Sequence, residues 1–270
     1  MPPFARTLLE AVIGLVALAL AWLIAAWLVA VNGHPMFLPS PLVVIPKAIE
    51  LCATEAFRQH VWVSVATFGQ GFVPAVLVGI ALGAAVSLSN GLRWLLGPLV
   101  VVLAAAPVIA FAPVLILWLG VGMESKALLV FLMVAFPVAN TVALVQRSHR
   151  HPPPPLGPPQ TIADQIDAAL SAPPAPGPNA IEEEPEPTLL ERAHAMPLAI
   201  MAGLRLGVIL GLVAVIASEM ISSRSGLGAF IVMSFSTFDS AAMLAAIVVL
   251  ALPTIVLVTI LQAIEEQVAA

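Results

Sequence analysis

Apolar residues run along this chain in long uninterrupted blocks parted by short polar breaks, and one long polar stretch stands out among them. Six blocks are long enough to predict membrane-spanning helices: Leu8–Val31, Val61–Leu88, Leu95–Leu119, Ala127–Val145, Pro197–Ile221 and Ala241–Ile264. A helix needs about 20 apolar residues to cross about 30 Å of hydrocarbon. The first block is longer than the core of a signal peptide and lacks a clear cleavage pattern, so it reads as a retained span. The third holds Pro98, Pro107 and Pro113. Proline removes a backbone donor and kinks a helix, so this span is predicted to bend and to face protein rather than lipid. The pattern predicts an all-α membrane protein of six transmembrane helices, residues 1–270 forming one transmembrane domain.

Small residues mark the predicted packing faces. Gly79 and Gly83 form one GxxxG pair, and Gly203, Gly207 and Gly211 form two more. Such spacing lets helix backbones approach closely where no hydrophobic effect operates. Between the first two spans, residues 36–60 mix apolar and charged positions. Pro41 suits a first helical turn capped by Ser40, which predicts a short interfacial helix.

Composition supports the membrane reading. The chain is 61% hydrophobic and 9% charged, with a mean hydropathy of +1.07. Soluble domains carry about 25% charged residues. The net charge of −5 comes largely from the polar stretch His151–Pro197, so it points to no nucleic-acid partner. Cys52 is the only cysteine, which excludes an intrachain disulfide. Tyrosine is absent, and Trp22, Trp27, Trp62, Trp94 and Trp118 are left to anchor the water interfaces. With the N-terminus inside, five basic residues (Arg6, Arg93, Arg147, Arg150, Arg192) face four outside (Lys47, Arg58, Lys126, Arg224). That excess is too small to set orientation by itself.

Four blocks in order carry a resemblance: "FLPSPLVVIPKAIEL", "HVWVSVATFGQGF", "APVIAFAPVLILWLGVGMESKALLVFLMVAFPVANT" and "GLRLGVILGLVAVIASEMISSRSGLGAFI". Together they resemble the permease subunit of bacterial ABC importers, in the branch that handles aliphatic sulfonates, taurine and nitrate. The resemblance covers about residues 36–146 and 197–265. It implies the type I importer fold and a multi-pass protein of the bacterial inner membrane, with both termini cytoplasmic. It also implies a second permease copy, a cytoplasmic ABC ATPase subunit, and a periplasmic or lipid-anchored substrate-binding protein. ATP hydrolysis would reside in the separate ATPase, and this chain has no Walker-type glycine loop of its own. No cofactor and no metal are expected. Ser64 and Thr67 stand where the family often has a Ser-Leu pair followed by arginine.

The resemblance places residues 147–196 in the cytoplasm, where the family carries its ATPase-coupling loop with a Glu-Ala-Ala triplet and a glycine six residues after the Glu. The nearest match here is Ile166, Asp167, Ala168, Ala169 and Leu170, with Gly177 further on. "TIADQIDAALSA" has helical spacing of Ile162, Ile166 and Leu170, a capping candidate in Thr161, and a stop at Pro173 and Pro174. A candidate coupling helix therefore spans 161–172. Asp167 replaces the family Glu, Pro173 occupies the glycine position, and Gly177 comes four residues late. The surrounding proline and acid favour a flexible linker.

Ionisable groups inside spans are the other candidates, because charge in hydrocarbon is costly and faces protein or water. Arg205 and Glu219 lie fourteen residues apart on the fifth span, roughly 21 Å along a helix, and cannot pair with each other. Glu219 reads either as a packing or gating residue beside the pathway, or as an interfacial carboxylate touching Arg224 or Lys126 in water. Arg205 reads either as a pathway residue or as a side chain snorkelling to the cytoplasmic interface. Asn140, beside Pro137, would line the pathway or hydrogen-bond a neighbouring helix. His149 and His151 lack the companions of a metal site and read as solvated. The function expected is the transmembrane subunit of an ATP-driven importer of a small anionic solute such as a sulfonate, taurine or nitrate. The rival is a membrane structural or interaction protein on the same framework that has lost ATPase coupling, including a designed or redesigned sequence. A secondary transporter would show inverted repeats, and none is visible.

Overall fold

The computed structural model describes residues 3–33, 36–148, 189–222 and 224–269. Among these the chain is helical, with no strand. The candidate coupling helix 161–172, Gly177, His149 and His151 lie outside the described residues.

Helix α1 (Pro3–Val31) leads to the short α2 (Pro41–Ala53) and the long α3 (Glu55–Leu88). Then come α4 (Asn90–Ala105), a 3₁₀ turn (Val108–Phe111), α5 (Ala112–Leu119) and α6 (Met123–Ser148). The chain closes with α7 (Leu189–Ser222), α8 (Leu227–Ser236) and α9 (Ser240–Ala269). Five of these helices are long and apolar enough to span a membrane, and a sixth span arises if α4 and the 3₁₀–α5 segment are taken together.

That sixth span is bent by 80°, at the place its prolines predict. Pro107 disfavours helical backbone in the residue before it, and Ala106 is extended at φ −65°, ψ 139°. The other two prolines act differently. Pro98 lies within α4, and Pro113 stands in the first turn of α5, where a missing N–H costs nothing. The expectation that this span faces protein needs correction for the single chain. Val100, Ala112 and Leu115 are buried, but Trp94, Leu95, Val102, Phe111, Leu117 and Trp118 point outward. The bend turns one narrow strip inward, and among the described residues no other helix covers the rest.

The core sits where α6 is clasped between α3 and α7. Val130, Val134, Val138 and Val142 recur every four residues on α6 and are fully buried. They press into glycine grooves on both neighbours. On α3, a Cβ on Gly79 would lie 2.7 Å from the Ala135 carbonyl oxygen, and one on Gly83 would lie 2.5 Å from that of Ala139. Gly71 is equally tight against Val130 and extends the register through Ala75, a contact the GxxxG pattern does not reveal. On α7, Gly203 and Gly207 face Val138, while Gly211 faces Phe68. Phe68 and Phe72 stack at 4.5 Å and fill the space that the α7 glycines leave.

Helix α2 forms as predicted, with Pro41 in its first turn, but Ser40 caps it without its side chain. The Ser40 carbonyl accepts from Val43 and Val44 instead, and a proline in the first turn leaves fewer orphan donors for a hydroxyl to meet. Val44 and Ala48 pack on Ala245 of α9, with Trp22 of α1 alongside. The Trp22 indole donates to the Pro39 carbonyl at 3.1 Å. At the junction that follows, Thr54 does cap α3, its hydroxyl oxygen accepting from Phe57 N at 3.4 Å.

Helix α8 is an added element that no span count includes, since ten residues are too few to cross a bilayer. Its C-terminus closes on itself. The Asp239 amide donates to the Ser234 carbonyl at 2.9 Å and the Phe238 amide to Phe235 at 3.1 Å. This is the double bond pattern of a Schellman motif, in which glycine usually takes the left-handed position. Here Phe238 takes it, at φ 57°. Asp239 then caps α9 by accepting from the Ala242 amide at 2.9 Å.

Candidate functional site

Polar side chains inside the helical bundle gather where α7 ends and α8 begins. Glu219, in the last turn of α7, has no exposed surface. The Ser64 hydroxyl, from α3, lies 2.9 Å from Oε1 and 2.8 Å from Oε2 and donates its proton between them. The Gly228 amide donates to Oε2 at 2.9 Å. The Leu227 amide donates to Ser64 Oγ at 2.8 Å. Lys126 at the start of α6 is only 5% exposed and lies near enough to attract the carboxylate. A buried carboxyl group is tolerated when donors meet its oxygens, and Ser64 and the Gly228 amide supply them here.

The first two amides of α8 are those of Leu227 and Gly228, and its N-cap is Gly226, which has no side chain to offer. The start of α8 is therefore capped by residues of other helices. The Ser64 oxygen meets one orphan donor and the Glu219 carboxylate meets the next. The carboxylate also faces the positive end of the helix dipole. Gly226 adopts φ +107°, and a Cβ there would lie 2.2 Å from the Glu219 carboxyl carbon. A Cβ on Gly228 would lie 2.6 Å from the Ile216 carbonyl oxygen. The Gly-Leu-Gly of the sequence is thus what lets the backbone wrap this carboxylate. His60 completes the edge, with Nδ1 3.1 Å from the Gly226 amide and 3.0 Å from its carbonyl. With the ring proton on Nε2 the amide donates to Nδ1; with the proton on Nδ1 the ring donates to the carbonyl.

This geometry corrects one reading of Glu219. It is not an interfacial carboxylate in water, because helices and the Gly226–Gly228 backbone enclose it. Arg224 is exposed on the bend beyond α7, while Lys126 is buried with the carboxylate. Arg205 behaves differently. Its Nε lies 3.0 Å from Glu265 Oε2, so it pairs with the last helix, α9. Both side chains are partly open. Asn140 is half-buried on α6, in the turn after Pro137. Among the described residues, no hydrogen bond or ion pair joins Asn140, Arg205 and Glu219 to one another. Sequence reasoning missed Ser64 as the partner of Glu219, His60 as the contact of the Gly226 backbone, and Glu265 as the partner of Arg205. The available signal was weak: a serine and a histidine on the same stretch of α3, and glycines seven and nine residues beyond Glu219.

The fold and this buried knot define a polytopic helical membrane protein with a capped, non-spanning helix at one end. No family model matches the chain. It is 28% identical to the taurine transport system permease protein of Escherichia coli, over 98% of this chain and 90% of that protein. It is 28% identical to the riboflavin transport system permease protein of Chloroflexus aurantiacus, over 85% and 78%. The nitrate import permease protein of Synechocystis is 25% identical over 80% and 74%. The resemblance to ABC importer permeases holds along almost the whole chain, and the helical membrane fold agrees with it.

Proposed function

We propose that the chain is the transmembrane subunit of an ATP-driven importer, forming the path for a small anionic solute such as taurine, another sulfonate or nitrate. The observation that carries this reading is similarity to the taurine permease across 98% of this chain and 90% of that one. In this reading both termini are cytoplasmic, so Glu219 and α8 lie at the outer face and the stretch between α6 and α7 faces the ATPase. A second copy would cover the outward side of α4 and α5, with lipid around the remainder.

Roles for the candidate residues follow from their surroundings. Glu219 is fully buried and its carboxylate accepts from Ser64 and the Gly228 amide, which supports a positioning role beside the pathway rather than contact with solute. Arg205 sits in the half of α7 nearer the cytoplasmic stretch, where its charge is offset by Glu265. Asn140, half-buried and next to a proline, is the pathway candidate with no charge to offset. Few charges line these helices, so selectivity would rest mainly in the binding protein. Alternation of the cavity between two states would follow ATP-driven closure of the ATPases. Coupling would run through Ile166, Asp167, Ala168, Ala169 and Leu170, with Gly177 ending the segment. The departures at Asp167 and Pro173 favour the second reading, a structural protein on the same framework without coupling.

The test is reconstitution with an ATPase and a binding protein encoded beside it. ATP-dependent uptake of labelled taurine or nitrate supports the importer. Loss of uptake and of ATPase binding on deleting 161–172 or on Asp167→Lys places coupling there. Absence of both ATPase binding and uptake in the intact chain favours the structural reading.

A further inference from the structure

We propose that α8 is a hinged flap, pivoting at Phe238–Asp239 and latched shut at its N-terminal end, beside the short link to α7, by Ser64 and Glu219. The argument rests on how unequally its two ends are held. The C-terminal end is self-sufficient: the Schellman bonds use only its own backbone, and Asp239 ties it to α9. The N-terminal end has no cap of its own, and its first two amides are met wholly by side chains of α3 and α7. Those bonds can break without unwinding α8, because water at the membrane surface can replace them. Left-handed residues border the helix on both sides, Gly226 at φ +107° and Phe238 at φ 57°. Hinges are residues of this kind, at element ends where a few dihedrals absorb a rotation. The face that the flap covers is apolar: Leu227, Phe230 and Ile231 lie on Phe57, Ala242 and Ala246. Phe230 meets Phe57 edge-on at 5.0 Å and His60 at 5.5 Å. Lifting α8 would open the ends of α3 and α9 to the outside. Resting on the importer reading and its orientation, this is the side on which solute enters, and the latch residues are positioning residues for that step.

The test reads the flap without transport. In a Cys52→Ser background, Ile231→Cys places a thiol on the buried face, and a membrane-impermeant maleimide is added to sealed right-side-out vesicles. Glu219→Gln, Ser64→Ala and Gly228→Ala each weaken the latch, the last by pushing a methyl against the Ile216 carbonyl. Each is expected to raise the labelling rate about tenfold or more, the population shift allowed by loss of one charge-assisted bond. A thiol at Val138→Cys, in the glycine-lined seam, is expected to stay unlabelled throughout, which separates flap opening from general unfolding. Equal labelling of Ile231→Cys with and without all three latch substitutions would overturn the flap, as would parallel labelling at Val138→Cys. Because neither ATPase nor solute is present, a failed uptake assay leaves this result standing, and unchanged labelling beside intact uptake removes the flap alone.

Discussion

The middle and the end of α7 are held by opposite means. In the middle, Gly203, Gly207 and Gly211 meet the valines and phenylalanines of α6 and α3 by shape alone. At the end, Glu219 is held by donors, each placed on a different segment. Lipid tails are as apolar as valine, so the seam gains its stability from close approach and dispersion. The knot gains its stability from saturation: each polar group is met, and removing one leaves another orphaned. Shape therefore tolerates change that keeps volume small, and saturation tolerates almost none.

That contrast can be broken in order of expected effect. Glu219→Ala leaves Lys126 buried without the carboxylate near it and the Gly228 amide without its acceptor, and is expected to cost about 3–5 kcal/mol. Thermal unfolding in detergent, read by loss of the monodisperse peak, would measure it. A melting point unchanged from the parent would show that water already fills the knot. Gly83→Leu is next, since its side chain would be driven at the Ala139 carbonyl and Val142, at about 1–3 kcal/mol or more by the same assay. Gly83→Ala should fall between the parent and Gly83→Leu; if it proves neutral, the seam is looser than its distances indicate. Thr54→Ala, which removes the cap of α3, is expected to cost about 1 kcal/mol. Arg205→Met separates a half-open ion pair and should cost only about 0.2–1 kcal/mol, with the effect shrinking in high salt. Ser40→Ala should be smallest, within about 0.5 kcal/mol, because its hydroxyl caps nothing.

The two regions also differ in how far the sequence revealed them. The seam was readable in part, because GxxxG spacing is local and every contact repeats with the helix. Gly71 escaped because Ala75 interrupts the glycine pattern, though alanine serves the same contact. The bend at Pro107 was readable because proline acts on its own neighbour. The knot was not readable. Ser64 reaches Glu219 across 155 positions, and no local rule links them. Lys126 was visible as a charge near a span but read as wet, since its burial depends on how α3, α6 and α7 close together. Helix α8 was hidden between two longer apolar blocks, being too short to count as a span. The exposed side of α4 and α5 shows the same limit from the other direction: a proline pattern predicts a bend, but not what covers it.

The valine ridge of α6 carries a mechanical consequence. It is keyed on two sides at once, into α3 and into α7, by contacts with no slack. Sliding α6 by one residue, about 1.5 Å, would carry each valine off its glycine and onto backbone. Helices α3, α6 and α7 therefore form a single stiff block. The freedom that any working cycle needs is left to the pieces around it: α1 and α2, the bent pair α4 and α5, and α8 with α9.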